Sequence, residues 1–140
     1  MNIAFLLVPK SDLAWVKASA TLGQAIERMD NHGCTAVPIL GADGSYCGSL
    51  TEGDILAFWK QHPEMRFEDA ERVPIASLPW RSSARAIDID GAIEDLPPWA
   101  LDHDFVPVVD SRSVFIGIVL RRSILDFFQR RMARQPDKAA

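Results

Sequence analysis

Two polar residues three positions apart, Thr51 and Asp54, form the pattern in this sequence that is best suited to holding a ligand. They follow an apolar stretch and open an amphipathic one, which predicts a strand-to-helix junction at Thr51. A helix start carries partial positive charge and favours a phosphate, while an ionised carboxylate accepts two hydrogen bonds, as from the paired hydroxyls of a ribose. The alternative is an N-cap, with Thr51 capping the helix and Asp54 favouring its first turn.

Two adjacent arginines, Arg121 and Arg122, stand at a second predicted helix start. Paired guanidiniums bind anions strongly and could reach a second phosphate. The alternative is that one or both pair with surface carboxylates such as Asp126. Lys10 could likewise neutralise a phosphate, or it could be a solvated surface lysine.

Catalysis and metal binding find little support in the spacing of titratable residues. The three histidines lie far apart, and no four ligands converge as a tetrahedral zinc site requires. The acidic residues are not linked by spacing to a nucleophile or a metal. We therefore expect no enzyme activity, no metal and no cofactor.

An internal repeat sets the positions of these residues. Residues 37–59 align without a gap with residues 106–128, at a constant offset of 69. The identical pairs are Val37 and Val106, Pro38 and Pro107, Gly48 and Gly117, Ile55 and Ile124, Leu56 and Leu125, and Phe58 and Phe127. The alignment predicts two copies of one structural unit.

Each copy has the pattern of a β-α-β-β-α unit, so the predicted fold class is α/β (α+β). A short apolar segment at residues 13–16 or 86–89 comes first. In the first copy a helix follows, with its apolar residues on one face and Ser19 or Thr21 as its cap. Residues 36–40 and 46–50 then form a hairpin, and residues 52–60 form the last helix. In the second copy Pro97 and Pro98 interrupt the first helix, which either restarts at Pro97 or is kinked.

These patterns divide the chain into four parts. Residues 1–62 form the first unit with an N-terminal lead-in strand, and residues 63–80 form a linker with a short helix at 67–72. Residues 81–131 form the second unit, and residues 132–140 form a frayed tail.

Composition excludes several partners. The chain of 140 residues has a net charge of -4, which argues against a broad nucleic-acid-binding face. No apolar run approaches the ~18 residues of a membrane span. Two cysteines fit a reducing cytoplasm better than a disulfide framework.

The repeat resembles a tandem pair of CBS domains, or Bateman module, over residues 5–131. The residues that carry the likeness are Ala36-Val37-Pro38 before the hairpin and Gly48-x-x-Thr51-x-x-Asp54 before the last helix. The resemblance implies two pseudo-symmetric units packed through their sheets, with clefts that bind adenosine-containing ligands. It also implies a standalone bacterial protein that forms a homodimer. Residues 5–10 and 117–122 are in addition similar to small bacterial CBS proteins that are receptors for cyclic di-AMP.

The resemblance also implies further site residues. Ala14, Cys34, Thr35, Ala36 and Pro38 would surround the adenine, with core packing as the alternative role. The second copy departs from the pattern, since Leu120, Ser123 and Phe105 replace Thr51, Asp54 and Ala36.

The predicted function is a regulatory module that binds AMP, ADP or ATP between its units and signals to a regulated protein. Cyclic di-AMP is the first alternative ligand and S-adenosylmethionine the second. The remaining alternative is a structural module with empty clefts.

Overall fold

A computed structural model describes residues 1–80 and 85–134 of the chain. Its strands are β1 (Leu7–Pro9), β2 (Val16–Lys17), β3 (Ala36–Leu40), β4 (Tyr46–Thr51), β5 (Ile87–Asp88), β6 (Phe105–Val109) and β7 (Phe115–Leu120). Its α-helices are α1 (Leu22–His32), α2 (Glu52–Gln61), α3 (Phe67–Ala70) and α4 (Arg121–Arg134). The strands form two sheets, in the orders β2-β3-β4 and β1-β7-β6-β5. The predicted start of the second unit at residue 81 and the predicted tail beyond residue 134 lie outside the described residues.

The first unit follows its sequence pattern closely. Thr21 is the N-cap of α1, in a reciprocal capping box with Gln24, and the left-handed Gly33 ends the helix. The apolar face of α1 packs on β3, which pairs in parallel with β2 and antiparallel with β4. The predicted strand at residues 36–40 has the predicted bounds, and the hairpin partner extends one residue further, to Thr51.

The second unit repeats this topology, so the α/β fold of two related units is confirmed. Ile87 pairs with Val108 in the same parallel register in which Val16 pairs with Ile39. It lacks, however, an α-helix between β5 and β6, where two 3-10 turns stand instead, at Ile93–Asp95 and Pro98–Leu101. The expectation of a kinked helix is therefore wrong. The helix predicted to restart at Pro97 is a single 3-10 turn. Two adjacent prolines remove two N–H donors and prevent a continuous helix.

Each unit is completed by the segment that leads into the other unit. β1 pairs antiparallel with β7 of the second unit, and Ile3, only 2 % exposed, enters that unit's core. Correspondingly, Ile75 is buried in the core of the first unit, where its N–H donates to the carbonyl of Ala20 at 3.0 Å. The sequence pattern assigned residues 1–62 to the first unit and 63–80 to a linker. The structure instead attaches β1 to the second sheet and residues 70–78 to the first core.

The repeated glycine is explained by these crossing segments. A Cβ on Gly117 would collide with the carbonyl oxygen of Val8 and would lie 2.8 Å from the Leu7 side chain, both on β1. A Cβ on Gly48 would lie 3.1 Å from the ring of Trp80. Each lead-in segment therefore runs directly over the glycine of the other unit's hairpin, which excludes a side chain at Gly117 and leaves little room for one at Gly48.

The two units meet through a third apolar cluster, formed by Leu40, Phe115 and Ile118. The rings of Phe115 and Tyr46 stack across the junction with centroids 6.1 Å apart. A bridge between Ser45 and Val114 joins the two hairpins. Across residues 1–80 and 85–134, none of the helices has the length and apolar character needed to cross a membrane.

Candidate functional site

Two clefts lie between the units, and each is lined by residues of both. The Trp99 cleft has a volume of about 310 Å³ and the Ala14 cleft one of about 380 Å³, the size range of small-molecule sites. The Trp99 cleft is lined by Thr35, Ala36, Tyr46, Ser49, Thr51, Glu52, Gly53, Arg85, Trp99, Ala100 and residues 102–107. The Ala14 cleft is lined by residues 12–14, residues 32–36, Pro38, Asp104, Phe105, Ile118 and Leu120.

The two clefts are built from equivalent positions but differ in character. Where the first unit places Ala14, Cys34 and Thr35, the second places Arg85, His103 and Asp104. On the opposite walls, Ser49 and Thr51 of the Trp99 cleft correspond to Ile118 and Leu120 of the Ala14 cleft. The Trp99 cleft is thus the polar and charged one, and the Ala14 cleft is mostly apolar.

Half of the predicted site residues come together in one place. Ala14, Cys34, Thr35, Ala36 and Pro38 all line the Ala14 cleft. Thr35 and Ala36 line the Trp99 cleft as well, because the start of β3 lies between the two openings. Burial raises the pKa of the Cys34 thiol, so this wall of the Ala14 cleft carries no thiolate at neutral pH.

Thr51 and Asp54 form a capping box at the start of α2. The Thr51 hydroxyl accepts from the Asp54 N–H at 3.1 Å, and the Asp54 carboxylate accepts from the Thr51 N–H at 3.0 Å. Thr51 lies opposite Ala36 on the paired strand and lines the Trp99 cleft, whereas Asp54 is only 3 % exposed. The N-cap alternative is therefore the arrangement seen, and it leaves Thr51 on a cleft wall.

The three predicted cations, Lys10, Arg121 and Arg122, are not among the residues that line either cleft. The guanidinium of Arg121 pairs with Asp104 at 2.8 Å and donates to the carbonyl of Leu101 at 3.3 Å. Its carboxylate partner is thus Asp104, whereas the proposed partner Asp126 pairs with Arg130. Arg122 is exposed at the start of α4. Lys10 lies over the ring of Trp15, with its ammonium 4.5 Å from the centroid.

Several cleft residues did not emerge from the sequence pattern. Trp99 follows the proline pair that replaces the helix, and the guanidinium of Arg85 lies 5.7 Å from its ring centroid. Tyr46 reaches the Ser49 hydroxyl at 2.7 Å, and burial raises the pKa of its phenol, so it remains protonated. Arg85 stands at the position equivalent to Ala14, but this is visible only from the strand register, because the ungapped alignment begins at residue 37.

Comparisons with known proteins agree with this architecture. Residues 7–60 match the model of the CBS domain family, and no curated protein matches the sequence. A crystal structure of CbpB from Listeria monocytogenes in complex with c-di-AMP is 24 % identical, with a TM-score of 0.77 over 95 % of this chain and 98 % of that one. CBSX2 in complex with AMP is 19 % identical, with a TM-score of 0.70 over 94 % and 98 % of the two chains. A CBS domain-containing protein from Bacillus anthracis is 20 % identical, with a TM-score of 0.78 over 93 % and 94 %. At these identities the solved structures establish the fold.

Proposed function

We propose that this chain, a CBS-domain protein with the fold of a tandem CBS pair, is a non-catalytic regulatory module that binds an adenine nucleotide between its two units. AMP, ADP and ATP are the proposed ligands. The observation that carries the proposal is that each cleft takes its walls from both units. A ligand bound there contacts both units at once.

Such a ligand would act by changing the arrangement of the units. It favours one relative orientation only to the extent that it binds that orientation more tightly than the other. The units meet through a small cluster around Phe115, which is the contact that such a change would alter. A regulated protein would then recognise the altered surface.

Cyclic di-AMP is the second candidate ligand. Thr35 and Ala36 line both clefts, so a dinucleotide could extend from one to the other. Arg122 is exposed at the start of α4 but lines neither cleft, so a second phosphate would have to extend beyond the clefts to reach it. The c-di-AMP complex of CbpB has the same fold as this chain and supports keeping this candidate.

The nucleotide proposal predicts a ligand-dependent increase in stability. A ligand at 100 times its dissociation constant adds roughly 2.7 kcal/mol to the free energy of unfolding. Thermal unfolding with AMP, ATP, cyclic di-AMP or S-adenosylmethionine at about 1 mM would show this as a higher melting temperature. If none of the four raises the melting temperature, the module has a structural role with empty clefts.

Variants of Thr51 locate the bound nucleotide within the molecule. Thr51→Ala removes the hydroxyl from the wall of the Trp99 cleft and should weaken nucleotide binding about three- to tenfold, the value of one hydrogen bond. It also removes a helix cap, so Thr21→Ala is the matched control, since it breaks the equivalent capping box of α1 outside both clefts. Calorimetric titration should show weaker binding for Thr51→Ala than for Thr21→Ala. Equal affinities would place the nucleotide away from Thr51.

We also propose that the chain forms a homodimer. Leu56 on α2 and Leu125 on α4 are equivalent residues of the two units, and they are 56 % and 51 % exposed. Two large apolar side chains on the last helices provide a surface for a second copy. Sedimentation equilibrium should give twice the monomer mass for the native chain and the monomer mass for Leu56→Asp combined with Leu125→Asp. A native chain that sediments as a monomer would contradict the dimer.

A cytoplasmic location and the absence of catalysis belong to the same proposal. Cys34 and Cys47 are both free thiols, as a reducing compartment would keep them. Within residues 1–80 and 85–134, no group of three or more histidine, cysteine or acidic side chains is arranged to hold a metal ion.

A further inference from the structure

The Trp99 cleft owes its shape to the missing helix of the second unit. The turn Pro98–Leu101 takes the place of helical residues, and Ala100, which is buried, anchors it in the core. This turn presents the half-buried ring of Trp99 to the cleft. The ring is therefore a rigid aromatic wall, and the Ala14 cleft has no tryptophan among its lining residues.

Among the described residues, one cation lies over this ring. The guanidinium of Arg85 is 5.7 Å from the ring centroid, at the position where the Ala14 cleft has an alanine methyl group. Arg85 is exposed and makes no ion pair with a carboxylate among the described residues. It is thus available to a phosphate group in the cleft.

The rest of the rim is acidic. Glu52, Asp102 and Asp104 are exposed residues of the cleft lining, and among the described residues only Asp104 has an ion-pair partner, Arg121. A single phosphate can be neutralised by Arg85, but each further phosphate adds negative charge to a cleft that Glu52 and Asp102 already line. Like charges brought together in this way oppose binding.

We propose that the Trp99 cleft selects a nucleoside monophosphate, whose base takes the place of the exposed Arg85 side chain over the ring of Trp99 and whose one phosphate is held by the displaced guanidinium. This inference rests on the proposed function, and it adds which cleft is occupied and how many phosphates the ligand carries. Stacking of a base on an aromatic ring contributes roughly five- to hundredfold in affinity. The acidic rim makes the triphosphate the weaker ligand.

Calorimetric titration of the native chain with adenosine, AMP and ATP tests the selection. We expect AMP to bind about tenfold more tightly than either of the others, which is the usual effect of one hydrogen bond to a charged group. The double variant Glu52→Gln with Asp102→Asn should bring ATP close to AMP. ATP binding as tightly as AMP to the native chain would overturn the selection.

Replacement of the aromatic wall tests the cleft itself. Trp99→Leu should weaken AMP binding at least fivefold, while Trp15→Leu should leave it unchanged. Trp15 is the matched control, because it is also a half-buried tryptophan with a cation over its ring but lies outside both clefts. Arg85→Gln should reduce AMP to the affinity of adenosine, with the fold unaffected at this exposed position.

The outcomes separate this inference from the proposed function. If the native chain binds none of the three ligands and cyclic di-AMP also fails, the nucleotide proposal itself is wrong. If AMP binds but Trp99→Leu and Arg85→Gln bind it as tightly as the native chain, the nucleotide proposal stands and the selection by the Trp99 cleft is wrong.

Discussion

Replacement of Gly117 by valine is expected to destabilise the protein by about 3 kcal/mol or more, at or above the upper end of the usual cost of overpacking. Any Cβ at this position collides with the backbone oxygen of Val8, and a backbone atom in a paired strand cannot turn aside as a side chain can. β1 would have to leave the sheet. Ile3 would then lose its place in the core of the second unit.

Urea denaturation measures this loss, and a series of glycines provides its controls. Gly53→Ala should be neutral or slightly stabilising, because the nearest atom to its Cβ would be the Thr51 hydroxyl at 3.6 Å in a helix. Gly48→Ala should fall between the two, since its Cβ would meet the ring of Trp80 at 3.1 Å. If Gly117→Val were as stable as the native chain, the crossing of β1 over β7 would be wrong.

Replacement of Phe115 by alanine is expected to cost about 3–5 kcal/mol, the usual loss for a buried phenylalanine. Phe115 is 1 % exposed and belongs to the cluster in which the two units meet. Its ring stacks on Tyr46 of the first unit. The cavity would open between the units, so we expect unfolding to become less cooperative as well as easier.

Two measurements check this expectation. Urea denaturation followed by tryptophan fluorescence and by circular dichroism should give different midpoints in Phe115→Ala and the same midpoint in the native chain. Phe5→Ala is the control, because that ring is 76 % exposed and its loss should change the free energy of unfolding by less than about 0.5 kcal/mol. A loss below ~1 kcal/mol in Phe115→Ala would contradict a packed junction at this residue.

The sequence pattern predicted the hairpins and the last helices because each depends on neighbours close along the chain. Residues 36–40 pair with their partner strand across a short turn, and Thr21 and Thr51 cap their helices through residues three positions on. The exchange of the lead-in segments could not be predicted from such local patterns. β1 has only three residues, and its partner Val119 is remote in the chain, so no local pattern distinguishes the second sheet from the first.

The site was predicted less completely for a similar reason. The residues that match the family pattern fall mainly in the first unit, and they line the more apolar cleft. The polar cleft is formed by positions where the second unit departs from that pattern, such as Arg85, Trp99 and Asp104. Pro97 and Pro98 indicated a break in the helix, but only the packing of the resulting turn shows that Trp99 faces the cleft.

The exchange of the lead-in segments also determines when the fold can be completed during translation. Leu7 pairs with Val119, which follows it by 119 − 7 = 112 residues along the chain. At about 5–20 residues per second, β1 remains without its strand partner for on the order of ten seconds. Throughout that time the apolar segment at residues 3–8 of the nascent chain is exposed to solvent. Slower elongation lengthens this interval, so the yield of folded protein should depend on the speed of the ribosome and on chaperones that bind nascent chains.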